Sequence, residues 1–264
     1  MIETPPAPVT RPCWRCAERV VPGTPSCPKC AAPLRRSSDR SGERRKNRPD
    51  QALGTVIVLF VIQLATSIIF GSIVSFGLDS KGPESRAMDP GTPLRAMVGL
   101  EIFDSIVILL GFAWMTRPRK SEPLMKPAVA WALGLPAILG ALFLNQAYHG
   151  ILRSLIHARS EPDLILSAGV TPLVFFAYCV QPAIIEELFF RHLALDSLRS
   201  VMAPLPAALV SSLMFGLAHL GVPFSIPILS VVGLTLAWAR MASGSLALPM
   251  ILHAVHNFLV IISE

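Results

Sequence analysis

Residues 51–78 read QALGTVIVLFVIQLATSIIFGSIVSFGL, without one Asp, Glu, Lys or Arg. At a rise of about 1.5 Å per residue, a helix over this stretch outruns a hydrocarbon core of about 30 Å. It reads as a transmembrane helix. Further apolar segments follow at 95–116, 127–152, 164–190, 204–220, 222–241 and 246–262. Only 15% of the 264 residues are charged, against roughly 25% in soluble chains, and the mean hydropathy is +0.57. The expected fold is an all-α multi-spanning membrane protein with about seven to eight transmembrane helices, its transmembrane domain at 51–264. The 204–241 region is Pro-rich, so one of its two spans can be re-entrant.

On the N-terminal side of residue 51 the character changes. Four of the five cysteines form two pairs, Cys13-Trp14-Arg15-Cys16 and Cys27-Pro28-Lys29-Cys30, ten residues apart. Two such turns can present four thiolates to one tetrahedral zinc. Disulfides are the alternative, favoured only in an oxidising compartment. Residues 1–34 are expected to be a zinc ribbon, with a structural zinc on Cys13, Cys16, Cys27 and Cys30. So small a module has too little core to fold alone, and the metal would supply the folding energy. Cys179 stands alone in an apolar segment and reads as packing.

Residues 35–50 hold Arg35, Arg36, Arg40, Arg44, Arg45, Lys46 and Arg48 and read as a basic, disordered linker. Beside a span, such a run marks the cytoplasmic side. Arg117, Arg119, Lys120 and Lys126 then fall inside as alternation requires, and the mixed loop at 79–93 falls outside. The expected location is a bacterial cytoplasmic membrane with the N-terminus in the cytoplasm, which keeps the thiols reduced. The polar, Pro-rich stretch 1–12 does not read as a secretory leader. The ribbon's partner is unknown, and the membrane reading of the basic run disfavours nucleic acid.

Ionisable groups inside spans cost about 2.5–3.5 kcal/mol each on insertion and demand a reason. Three groups stand out near the C-terminus: Glu186-Glu187-Leu188-Phe189-Phe190-Arg191, Phe215-Gly216-Leu217-Ala218-His219, and His253-Ala254-Val255-His256-Asn257. On an α-helix Glu187 and Arg191 lie about 40° apart and can pair, whereas Glu186 lies about 140° from Arg191. Glu187 is thereby assigned to structure and Glu186 is left for chemistry. Phe215 lies one turn before His219 and can wall a pocket. His253 and Asn257 share a face; His256 lies about 60° from His253, so geometry does not exclude it from the site, and its other role is a supporting hydrogen bond. Peptide hydrolysis needs a deprotonated water and donors to the oxyanion. Glu186 and His219 can prepare the water, and His253 and Asn257 can donate. No Gly-x-Ser-x-Gly elbow is present to favour a serine mechanism.

This ordered set resembles the CAAX protease and bacteriocin-processing family, also called the Abi or CPBP family. The resemblance rests on Glu186-Glu187 with Arg191, Phe215 with His219, and His253 with Asn257, flanked by Ser243-Gly244-Ser245-Leu246. It covers roughly 164–262, the expected protease core. It implies an intramembrane endopeptidase acting on a membrane-associated peptide or protein, with Glu186, His219, His253 and Asn257 catalytic and Glu187, Arg191 and Phe215 in support. His192 stands where the family usually has glycine. Two histidines and a glutamate also match some catalytic zinc sites, yet the His-Glu-x-x-His signature is absent, so a catalytic metal is left undecided. The competing reading is a non-catalytic scaffold, transporter or immunity protein that uses the same buried polar residues, with the ribbon as a partner-binding module.

Overall fold

The computed structural model describes residues 10–21, 24–32, 34, 49–79, 91–115, 123–156 and 170–263. The expected linker lies outside these residues except for 49 and 50, which open the first helix. The N-terminal module has two short antiparallel strands, β1 (Arg11–Pro12) and β2 (Arg19–Val20), with Arg11 opposite Val20. Its core is Cys13, Val20, Cys27 and Ala32.

Seven helices follow among the described residues: α1 (Pro49–Asp79), α2 (Gly91–Met115), α3 (Pro127–Ile156), α4 (Pro172–Leu198), α5 (Pro204–Leu217), α6 (Ile226–Ser243) and α7 (Ala247–Ser263). Proline opens α1, α3, α4 and α5, where its missing N–H costs nothing and its fixed φ suits the first turn. Five of the helices, α1 to α4 and α6, are long and apolar enough to cross a membrane, and α5 and α7 are shorter. The 14 residues of α5 reach only about 21 Å, less than the hydrocarbon thickness.

The bundle has an inner and an outer set. The α4 and α6 spans are 56% and 44% buried, against 17%, 11% and 22% for α1, α2 and α3. The outer helices show Ile57, Val61, Ile106, Leu110, Phe143 and Leu155 outward, as lipid-facing helices do. α4 packs on α1, α2, α5 and α7, and α6 on α3, α5 and α7. Their shared core includes Phe189, Phe190, Phe215, Leu236, Leu248 and Leu252.

The fourth span sits eight residues later than the 164–190 expected from composition. Its start is set by Thr171, whose hydroxyl accepts from Val174 N at 3.2 Å, with Pro172 in the first turn. Its end runs past Arg191 because the charges there are answered inside the protein. Asp196 accepts from Arg240 Nη2 of α6 at 3.0 Å and lies 3.4 Å from His192 Nδ1. Arg240 Nη1 also donates to Gly244 O at 2.7 Å. Gly244 closes α6 at φ 69°, a left-handed geometry that suits glycine. His192 packs against Phe112 of α2 with ring centres 5.3 Å apart.

Candidate functional site

α4 is not a uniform helix. Wide turns of π type cover Phe176–Val180 and Leu188–Ala194 and bracket the α-helical stretch Gln181–Glu187. Such widenings concentrate at functional sites. Both acids of the Glu-Glu pair lie at the C-terminal end of that stretch, beside the second wide turn.

Glu187 and Arg191 are fully buried, with Arg191 Nε 3.1 Å from Glu187 Oε2. The other carboxylate oxygen, Oε1, lies 3.1 Å from His253 Nδ1 on α7. The carboxylate thus joins two helices. With Nδ1–H donating to Glu187, Nε2 of His253 is the ring atom that remains. The guanidinium of Arg191 stands 4.9 Å from the Phe215 ring centre and 5.7 Å from that of Phe190. A charge buried in this way is tolerated because a carboxylate and two aromatic faces surround it. Glu187 therefore contacts both His253 and Arg191. Helix periodicity registers the pairing with Arg191 but carries no information on a contact to a residue 66 positions away.

Phe215 is the hub. Its ring centre lies 5.1 Å from His219 and 5.6 Å from His253, and it meets Phe190 edge-on at 5.3 Å. His219 sits just beyond α5, and its Nδ1 is 2.9 Å from Phe215 O. With Nδ1–H donating there, Nε2 is the ring atom that remains. Gly216 lets α5 and α6 approach closely, since a Cβ at that position would come 2.7 Å from Ile226 O. Asn257 Nδ2 donates to Tyr178 O of α4 at 2.9 Å, and its Oδ1 lies 3.3 Å from His256 Nδ1. Both His253 and His256 are buried.

Glu186 is half-buried, and its Oε2 is enclosed without a hydrogen-bond partner. No hydrogen bond or ion pair joins it to His219 or His253 among the described residues. It interacts electrostatically with Glu101 and Asp104 of α2. Gln181 ties the two helices, donating to Glu101 O at 3.2 Å and Ser105 Oγ at 2.9 Å, while Thr66 of α1 donates to Asp104 at 3.3 Å. The sequence reading passed over Glu101 and Asp104. The rule that flagged Glu186, an acid inside an apolar span, applies to them equally.

The four cysteine sulfurs lie within 4.8 Å of one another, with Cys13 and Cys30 at 3.7 Å and Cys16 and Cys27 at 3.5 Å. A tetrahedron of Zn–S bonds of about 2.3 Å has edges of about 3.8 Å, so the sulfurs fit zinc. The two turns repeat one hydrogen-bond pattern. Ala17 N donates to Cys13 O and Ala31 N to Cys27 O, both at 2.9 Å. Cys13 N reaches Glu18 O, and Cys27 N reaches Ala32 O. Ala17 and Ala31 both take a left-handed φ, 59° and 55°. Desolvation pushes the Cys27 thiol up, but backbone donors at Cys30 and Lys29 outweigh it and bring it down to about 7. Among the described residues this is the one group of three or more Cys, His, Asp and Glu side chains gathered so closely. Glu186, His219 and His253 do not gather within that distance.

Comparison with known proteins gives two matches. Residues 168–259 match the model of a family described as Type II CAAX prenyl endopeptidase Rce1-like. The chain is also 29% identical over 130 residues to the membrane-embedded CAAX protease MroQ of Staphylococcus aureus (strain USA300), covering 47% of this chain and 51% of that protein. The chain thus spans about half the length of that curated relative. No solved structure matches it. The matched family segment contains Glu186, Glu187, Arg191, Phe215, His219, His253 and Asn257, and leaves out the cysteine module and α2.

Proposed function

We propose that this chain is an intramembrane endopeptidase of the CAAX protease and bacteriocin-processing type, acting on a membrane-associated peptide. The observation that carries the reading is the meeting of α4, α5 and α7 around Phe215, with Glu187 and His253 joined at 3.1 Å inside the family-matched segment. Glu186, with His219 beside the substrate carbonyl, takes a proton from water. The resulting hydroxide adds to the carbonyl, and the oxyanion is held by His253 Nε2–H, protonated for that role, and by the Asn257 amide hydrogen not given to Tyr178. The proton on Glu186 passes to the leaving amine as the C–N bond breaks. Glu187 fixes the His253 ring, and Arg191 balances the charge of Glu187.

The N-terminal module would hold a structural zinc and face the cytoplasm of a bacterial cell, where it binds a protein partner or regulates the membrane half. The test is cleavage of a membrane-associated peptide by the chain and by Glu186→Ala and His219→Ala. Each variant should lose cleavage while keeping its thermal midpoint, and unchanged cleavage in either removes the proposal.

One observation favours a second reading. Glu101, Asp104 and Glu186 interact within candidate spans, as acids on a proton or ion path do. Ion flux through reconstituted chain that is lost in Glu101→Gln, with no peptide cleaved, would select it.

A further inference from the structure

His219 does not lie within a regular helix. It opens the short connection between α5, which ends at Leu217, and α6, which begins at Ile226. Gly221, Val222, Pro223 and Phe224 of this connection are exposed, so burial of apolar side chains does little to hold them in place. Turns fold the backbone instead. His219 N donates to Gly216 O at 3.1 Å, Val222 N to His219 O at 2.9 Å, and Ser225 N to Val222 O at 2.8 Å. Each turn begins where the one before it ends. A constraint applied at Phe224 and Ser225 is therefore passed back to His219.

That constraint comes from α3. Tyr148 Oη donates to Phe224 O at 2.8 Å, and His149 Nε2 lies 3.3 Å from Ser225 Oγ. The two rings meet edge-on with centres 5.3 Å apart, so each limits the other. Irregular backbone at membrane depth is tolerated where protein groups answer its polar atoms, and Tyr148 does this for Phe224 O. Both residues of α3 lie outside the family-matched segment 168–259.

We propose that Tyr148, with His149 beside it, is a positioning residue of the site: it anchors the connection between α5 and α6 and so sets where His219 stands. The catalytic consequence rests on the function proposed above; the anchoring of the connection does not. A neighbouring bond on the same helix separates this role from general bracing. Gln146 Nε2 of α3 donates to Ser263 Oγ of α7 at 2.6 Å, and it does not touch the connection that carries His219.

The test uses the full chain in detergent. Tyr148→Phe removes the hydroxyl and keeps the ring. Amide exchange across 218–225 should rise about 3- to 10-fold, the range of one hydrogen bond, while exchange across 253–257 holds. Unchanged exchange across 218–225 overturns the proposal. In chain labelled at histidine, the His219 ring signal, identified by its loss in His219→Ala, should move in Tyr148→Phe while that of His253 stays. A stationary His219 signal also overturns the proposal. In cleavage, Tyr148→Phe should lower kcat by about 10- to 10²-fold with little change in KM, the scale of a misplaced group. Gln146→Ala should leave kcat and the exchange across 218–225 unchanged. An equal loss of kcat in Gln146→Ala, or a loss in Tyr148→Phe carried by KM alone, counts against the proposal. A wild-type chain that cleaves no peptide removes the proposed function, and the exchange and the His219 signal still decide the role of Tyr148.

Discussion

The cysteine module and the membrane site solve the same problem at different range. In the module, four sulfurs drawn from 18 consecutive residues, Cys13 to Cys30, come together through two copies of one turn. In the bundle, α4, α5 and α7 each supply a part, and the decisive contacts join residues 66 and 79 positions apart. A turn carries its own geometry in its spacing, whereas a helical site is assembled by packing. The first brings four sulfurs to a spacing that fits one zinc ion, the second is held by buried charges that must answer one another.

The largest effect is expected at the cysteine module. Stripping zinc with a chelator should unfold the N-terminal module, since structural zinc supplies about 10–16 kcal/mol of apparent binding energy at pH 7 in small modules. Limited proteolysis should then cut between residues 10 and 34 while α4 to α7 stay intact. Loss of the bundle on chelation would show that the two regions are not separate.

Next comes the buried pair. Glu187→Ala leaves Arg191 charged and enclosed and His253 without its anchor, and should destabilise the bundle by about 3–5 kcal/mol. Double substitution of Glu187 and Arg191 by apolar residues of similar size should recover much of that stability but not cleavage. Recovery of cleavage by the double variant would mean that His253 does not need Glu187.

Much of the fold was legible because apolar runs and prolines are local signals. The start of α1 at Pro49 lies two residues from the expected 51, and α3 starts at the expected 127. The fourth span runs past its expected end for one reason. Arg191 reads as an interfacial charge in one dimension, yet it is fully buried between Glu187 and two phenylalanine rings. The same limit hid the second partner of Glu187, which lies on α7. Glu101 and Asp104 differ, since an acid inside an apolar segment is itself a local signal. The fit of four sulfurs to one metal needed only the spacing of Cys13, Cys16, Cys27 and Cys30.

Smaller effects sharpen the contrast between turn and packing. Gly216→Ala forces a methyl toward Ile226 O at the α5–α6 crossing, and should cost about 1–3 kcal/mol with a loss of cleavage through the displaced His219. A thermal midpoint unchanged by this substitution would mean the crossing is looser than the distances say. In the module, Ala17→Gly and Ala31→Gly relieve left-handed backbone, and each should stabilise the zinc-loaded fold by about 1 kcal/mol. Their zinc affinity should rise together, because the two turns are copies of one geometry.

In the proposed function the membrane half is a peptidase driven by Glu186. The direct measurement is cleavage of a membrane-associated peptide by purified wild type and by Glu186→Ala, in the same lipid and at the same zinc content. Cleavage by wild type, with loss of about 10³-fold or more in Glu186→Ala at an unchanged thermal midpoint, is the expected result on the scale of removing a general base. Equal cleavage by both proteins would contradict the account.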